Sequence, residues 1–125
     1  MKKVITSKNA AAPIGPYNQA ILAGNTLYVS GQIALDPISG NMVNTDIVTE
    51  THQVMKSLKA ILEEAGADFT KVVKCSIFVK DLNNFATINK VYGEYFVSDA
   101  PARETVEVSR LPKDANVEIS CIAVL

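Results

Sequence analysis

The sequence predicts an α+β fold in which two helices pack on one face of a mixed β-sheet. Three observations carry this. Alternating apolar and polar segments at both ends of the chain read as strands. Two amphipathic stretches repeat apolar residues at three- and four-residue steps and read as helices, with a strand between them. The resulting order, strands, helix, strand, helix, strands, supplies helices for only one face of a sheet. With 125 residues, 48% of them hydrophobic, the chain has the length of one domain, residues 1–125, and enough apolar content for a core without disulfides or metals.

The elements follow in chain order. Lys3–Thr6 and Gln19–Leu22 are the first strand candidates, separated by a loop, Ala11 to Tyr17, that carries Pro13, Gly15 and Pro16. Gly24-Asn25 then turns the chain into Thr26–Ser30, which predicts a hairpin. Asp36-Pro37 and Ser39-Gly40-Asn41 mark a second turn region. The clearest helix spans about Asp46 to Ala65, with Ile47, Thr51, Val54, Met55, Leu58, Ile61, Leu62 and Ala65 as its apolar stripe. Asp46 suits the N-cap and Gly66 the residue just past the end. His52, Lys56, Lys59 and Glu63 form the opposite stripe, expected to face water. Val72–Val79 follows as a strand with Val73, Cys75, Ile77 and Val79 on one face. A second helix covers about Phe85–Phe96, striped by Phe85, Ile88, Tyr92, Tyr95 and Phe96. Thr105–Ser109 and Val117–Val124 close the chain, joined through Leu111-Pro112-Lys113-Asp114.

The sheet face without helices needs an explanation. Its candidates are Tyr28, Ser30, Ser76, Phe78, Thr105, Glu118, Ser120, Ile122 and Val124. This set is too apolar for a wet surface and too polar for a core. A subunit interface containing a polar pocket accounts for both properties. A half-solvated antiparallel sheet is the other reading, and the residues alone leave the two open.

Composition narrows the functional classes. The net charge of −1 weighs against a dedicated duplex-DNA binder. Cys75 and Cys121 lie far apart in sequence and form no C-x-x-C motif, which fits a reducing compartment. Lys8 and Asn9 interrupt the N-terminal segment before a signal-peptide core can form. No window approaches the ~20 apolar residues of a membrane span. A cytoplasmic location is therefore expected.

Nucleotide-binding glycine loops and a G-x-S-x-G elbow are both missing. The single histidine, His52, reads as a solvated surface residue, and one His with two scattered Cys is too few for a zinc site. Both cysteines alternate with apolar neighbours, as small buried thiols do.

Other residues invite chemistry. Asn89 interrupts the apolar stripe of the second helix, where an amide must cap a loop or enter a pocket. Arg103 presents a planar fork that matches a carboxylate, although taken alone it reads better as an ordinary surface arginine paired with Glu104 or Glu107. Glu118 shares a strand face with Ile122 and Val124, surroundings that raise a carboxyl pKa, unless the strand is a solvated edge. Tyr17 ends the proline-glycine loop, where it either packs or closes over a ligand. Ser30-Gly31-Gln32 ends a strand at a glycine that admits a close approach.

Together these segments resemble the Rid/YjgF family of reactive-intermediate deaminases, in particular its RidA-type members. The resemblance covers nearly the whole chain. It rests on Ala12-Pro13-Ile14-Gly15-Pro16-Tyr17, Val29-Ser30-Gly31-Gln32-Ile33, Phe85-Ala86-Thr87-Ile88-Asn89, Pro101-Ala102-Arg103, Arg110-Leu111-Pro112-Lys113-Asp114 and Val117-Glu118-Ile119. It implies a chorismate-mutase-like fold, assembled as a homotrimer with sites in clefts between subunits. It also implies hydrolysis of enamine and imine intermediates, such as 2-aminoacrylate and 2-aminocrotonate, to 2-keto acids and ammonia, with no metal or organic cofactor. On this resemblance Arg103 holds the substrate carboxylate and Glu118 positions or activates the water. Tyr17, Ser30, Gly31, Asn89 and Thr105 shape the binding pocket.

Relatives often carry Arg-Ser-Cys where this chain has Arg103-Glu104-Thr105. Strand alternation predicts that Glu104 points away from the side of Arg103. Two other functions compete. A non-catalytic regulator would use the same cleft to bind a small carboxylate such as a keto acid. RNA cleavage or translation inhibition, associated with some relatives, fits poorly with the acidic balance and the missing basic-aromatic motif.

Overall fold

The computed structural model describes residues 1–125. Six strands form one sheet: β1 (Lys2–Ile5), β2 (Ala20–Ala23), β3 (Thr26–Gln32), β4 (Val72–Val79), β5 (Ala102–Glu107) and β6 (Val117–Val124). Their spatial order is β1-β2-β3-β6-β4-β5. All neighbours are antiparallel except β4 and β5, which run parallel. Helices α1 (Ile47–Glu64) and α2 (Phe85–Gly93) complete the α+β architecture that the sequence predicts.

Local chemistry sets the limits of α1. The Asp46 side chain accepts from the Thr49 N–H at 2.7 Å and caps the first turn. At the far end Gly66 adopts φ 78°, and Ala67 N–H bonds to Leu62 O while Gly66 N–H bonds to Glu63 O. This paired arrangement satisfies carbonyls that the helix leaves open. The apolar stripe of α1 buries Val54, Met55, Leu58, Ile61 and Leu62 against Leu27, Val29, Cys75, Ile77, Ile119 and Cys121 of the sheet. The core therefore lies between the helices and one sheet face.

The structure corrects the predicted elements in four places. β4 buries Val72 and exposes Val73, because the β4–β6 register shifts between Val72 and Lys74. A bulge of this kind reverses the alternation of one residue. α2 stops at Gly93, not Phe96; the chain tightens into three-residue bonds from Glu94, Tyr95 and Phe96 N–H groups. Gly93 is a poor helix residue, while Phe96 still packs on Tyr92 and Phe69. β5 begins at Ala102 and ends at Glu107 instead of spanning Thr105–Ser109. Finally, Thr105 belongs to the helix-covered face, since it pairs in register with buried Ile77. Glu104 takes the open face beside Ser76.

His52 also departs from expectation. It is partly covered, with Nδ1 2.7 Å from the Tyr95 hydroxyl and the rings edge-on. It stays on the α1 surface, away from the sheet faces.

Candidate functional site

Two clusters hold the residues singled out in the sequence, and they lie on different parts of the chain. The first surrounds Glu118. β3 continues past Ser30, and its register with β6 shifts between Val29 and Gln32. Ser30 and Gly31 thus form a bulge opposite β6, and bulges re-aim side chains where a site needs them. The Glu118 carboxyl group fills the space beside Gly31. A Cβ on Gly31 would lie 2.8 Å from Glu118 Cδ and 3.0 Å from its Oε2. Glycine is required there by close approach, not by a left-handed backbone.

A cavity of about 680 Å³ opens over this point, lined by Pro13, Tyr17, Ser30, Gly31, Lys113 and Glu118 among others. Its volume is that of a small-molecule site. Burial alone raises the Glu118 pKa above the usual carboxyl value. The Ser30 hydroxyl donates to Asn18 O at 2.7 Å, and Tyr17, half exposed, accepts from Ile14 N–H through its hydroxyl at 3.3 Å.

Gln19, which the sequence marks only as the start of a strand, holds this wall together. Its buried side chain accepts from Ser7 N–H at 2.7 Å and donates to Ser7 O, Ala10 O and Ala11 O. One amide thereby fixes both ends of the segment leading into the proline-glycine loop. The available signal was a polar residue at the start of an otherwise apolar strand.

The second cluster surrounds Arg103. Its register partner is Cys75, so the side chain rises on the helix side of the sheet, toward α2. Arg103 Nη1 donates to Asn89 Oδ1 at 2.7 Å. The guanidinium lies 5.0 Å from the Tyr92 ring centre and 5.6 Å from that of Phe85. Asn89 therefore orients the arginine fork. Thr105 lies on the same face two residues along, and its Oγ1 is buried without a hydrogen-bond partner. A buried hydroxyl left open is a polar contact available to a ligand.

The departure at Glu104 is resolved by the strand geometry. Its carboxylate receives Lys74 Nζ at 3.0 Å and a hydrogen bond from the Ser76 hydroxyl. That hydrogen bond and the lysine lower its pKa. All three side chains lie on the face opposite Arg103, as alternation predicts.

The cysteines stand opposite each other in the β4–β6 register, both buried and unbridged. Burial raises both thiols, Cys121 to about 12. Neither is a thiolate nucleophile near neutral pH.

Within one chain, then, Tyr17, Ser30, Gly31 and Glu118 share a cavity, while Asn89, Arg103 and Thr105 form a separate group. Arg103 does not line the cavity of the single chain, whereas Glu118 does. The fold and these clusters define a class: small α+β proteins whose sheet carries an arginine under a helix and a half-buried acid on the open face. A family model described as Endoribonuclease L-PSP matches residues 7–125. The chain belongs to the Rid/YjgF family. It is 54% identical to a RutC family protein of Pyrococcus horikoshii, over 98% of both chains. It is 43% identical to the human 2-iminobutanoate/2-iminopropanoate deaminase, covering 99% of this chain and 90% of that one. The YjgF gene product of E. coli superposes with a TM-score of 0.92 at 46% identity, and E. coli TdcF with bound serine with 0.94 at 38%; each comparison covers 98% of both chains. No helix is long and apolar enough to cross a membrane.

Proposed function

We propose that this protein hydrolyses small 2-imino acids, and the enamines that tautomerise to them, to 2-keto acids and ammonia. The observation that carries the reading is Glu118: a carboxyl group with a raised pKa, pressed against a glycine bulge at the floor of a small-molecule cavity. Burial favours the protonated form of this acid, the form that can pass a proton to nitrogen. Arg103, oriented by Asn89 and flanked by Phe85 and Tyr92, supplies the complementary feature, a planar fork for the carboxylate. The relatives named as iminobutanoate deaminases support this chemistry.

The steps balance without a further reactant. Glu118 gives its proton to the imine nitrogen as a water adds to the electrophilic carbon, and it takes back the proton that the water loses, leaving a carbinolamine. Glu118 then protonates the amino nitrogen, the C–N bond breaks with ammonia leaving, and the hydroxyl returns its proton to Glu118 as it becomes the keto oxygen. Positioning carries much of the rate, because an imine is already electrophilic.

The separation of the clusters leads to a second part of the proposal. Arg103, Asn89 and Thr105 of one copy meet the Glu118 cavity of its neighbour, and the assembly closes as a homotrimer. The uncovered sheet face, with Tyr28, Ile122, Phe78 and Val106 among its residues, supports an interface there. A cytoplasmic, reducing setting fits the free thiols.

The test generates 2-aminocrotonate in situ and follows keto-acid formation with wild type, Arg103→Ala, Glu118→Ala and an unfolded-and-refolded mixture of the two variants. Each variant alone should be inactive. The mixture should regain part of the activity, because mixed interfaces rebuild intact sites. Light scattering should give about three times the 13.5 kDa chain mass. TdcF with bound serine favours one other reading, a carboxylate binder without turnover. Binding of a keto acid that needs Arg103, with no acceleration by wild type, would replace the hydrolase reading with that one.

A further inference from the structure

We propose that Glu50, a buried carboxylate on α1 that does not line the cavity, is the positioning residue for Glu118. The inference rests on the hydrolase reading only for its kinetic consequence. Glu50 has 0% exposure. Removing a carboxylate from water is costly unless it is fully hydrogen-bonded, and an apolar residue usually serves a core as well. Here both oxygens are committed to one residue. Asn116 N–H donates to Oε2 at 2.8 Å, and Asn116 Nδ2 donates to Oε1 at 2.8 Å. The Asn116 carbonyl in turn accepts from Lys80 N–H at the end of β4 at 3.0 Å. Asn116 is thus gripped by a helix and a strand just before β6 begins.

The grip acts on a segment that needs holding. Lys113 and Asp114 both sit at φ 54°, a left-handed conformation that non-glycine residues rarely adopt. The Lys80 ammonium restrains Asp114 from outside at 2.6 Å. The same segment places Pro112 and Lys113 in the cavity wall, and Glu118 follows two residues after Asn116. Glu50 therefore sets the start of β6, the Pro112–Lys113 part of the cavity wall, and the approach of Glu118 to Gly31 with one pair of hydrogen bonds. Neither Glu50 nor Asn116 lines the cavity.

Asn116→Asp sets two carboxylates against each other. Glu50→Gln combined with Asn116→Asp restores both bonds, the glutamine oxygen accepting the backbone N–H and its amide donating to the new carboxylate. The single variant should lose about tenfold or more in kcat with KM within about twofold, because the Arg103 anchor is untouched. The amide NMR shifts of Gly31 and Glu118 should move with it. The double variant should return kcat and both shifts toward wild type. Asn116→Ala, which keeps the backbone bond, should show the same changes to a smaller extent and serves if Asn116→Asp does not fold. Lower melting temperature with unchanged kcat and unchanged Gly31 and Glu118 shifts would reduce Glu50 to a stabilising residue and overturn the proposal. A folded double variant without recovery would do the same. Should wild type fail to hydrolyse imines, the hydrolase reading falls while the amide shifts still decide this one.

Discussion

Replacing Gly31 by alanine separates what the bulge does for the site from what it does for the fold. The added methyl would lie 2.8 Å from Glu118 Cδ, where ordinary carbon contacts are near ~3.8 Å. The far end of the Glu118 side chain is the flexible partner in this contact, so it must retreat by about 1 Å. A displacement of that size at a reacting group costs about 100-fold in rate, or about 2.7 kcal/mol of barrier. The fold should not suffer comparably. Gly31 is not left-handed, the offending atoms end a flexible side chain, and alanine lowers the entropy of the unfolded chain by about 0.4–1 kcal/mol. The expected variant is as stable as wild type, or more so, and about 100-fold less active. Thermal melts and initial rates of keto-acid formation from 2-aminocrotonate measure the two quantities. A folded Gly31→Ala protein with activity within about threefold of wild type would refute the reasoning, because the Gly31–Glu118 contact would then not define the working position of the acid.

Three further outcomes are expected. Arg103→Lys keeps the charge but loses the fork held by Asn89, so KM should rise about tenfold or more with the melting temperature nearly unchanged; an unchanged KM would remove Arg103 as the anchor. Burial raises the Glu118 pKa above its ordinary 4.5, so the folded state holds its proton more tightly than the unfolded one, and this group's contribution to stability falls as pH rises through that interval. Glu118→Gln should consequently be more stable than wild type near neutral pH, with a flatter stability-versus-pH curve and about 100-fold or greater loss of kcat. Gln19→Ala leaves Ser7 N–H and three carbonyls without their side-chain partner, so unfolding free energy should drop by about 1–3 kcal/mol and KM should rise as the Tyr17 wall loosens.

The sequence made α1 legible to its caps because local signals define a helix: Asp46, the apolar stripe and Gly66 each act within a turn. β6 was equally plain, since alternation over eight residues has one solution. What failed depended on distant register. Thr105 lies on the face opposite to the one its sequence suggests, because the parity of β5 is fixed by its pairing with β4 and a one-residue change reverses every side chain. Val73 fell to the same cause through a bulge. Among the site residues, Arg103, Asn89, Glu118 and Gly31 stood out by type and position. Gln19 and Glu50 did not, because their partners lie 8–12 and 66 residues away along the chain.

The register that moved Thr105 also explains how the chain accommodates Glu104. An acid next to an anion anchor should weaken it, and on the same strand face it would compete directly for the guanidinium. β5 instead turns Glu104 to the open face, where Lys74 and Ser76 hold its charge. Arg103 remains paired to a neutral amide on the helix side, which leaves its positive field free for the carboxylate of the proposed substrate. Thr105, returned to that side, supplies a hydroxyl where a thiol often stands in relatives, and its lack of any partner within the chain makes it available to a bound ligand. The two substitutions therefore act in different places. Thr105 bears on what the arginine cluster can recognise. The Lys74–Glu104–Ser76 group lies on the proposed interface, where exclusion of water would strengthen the ion pair and make its geometry matter for assembly rather than for the anchor.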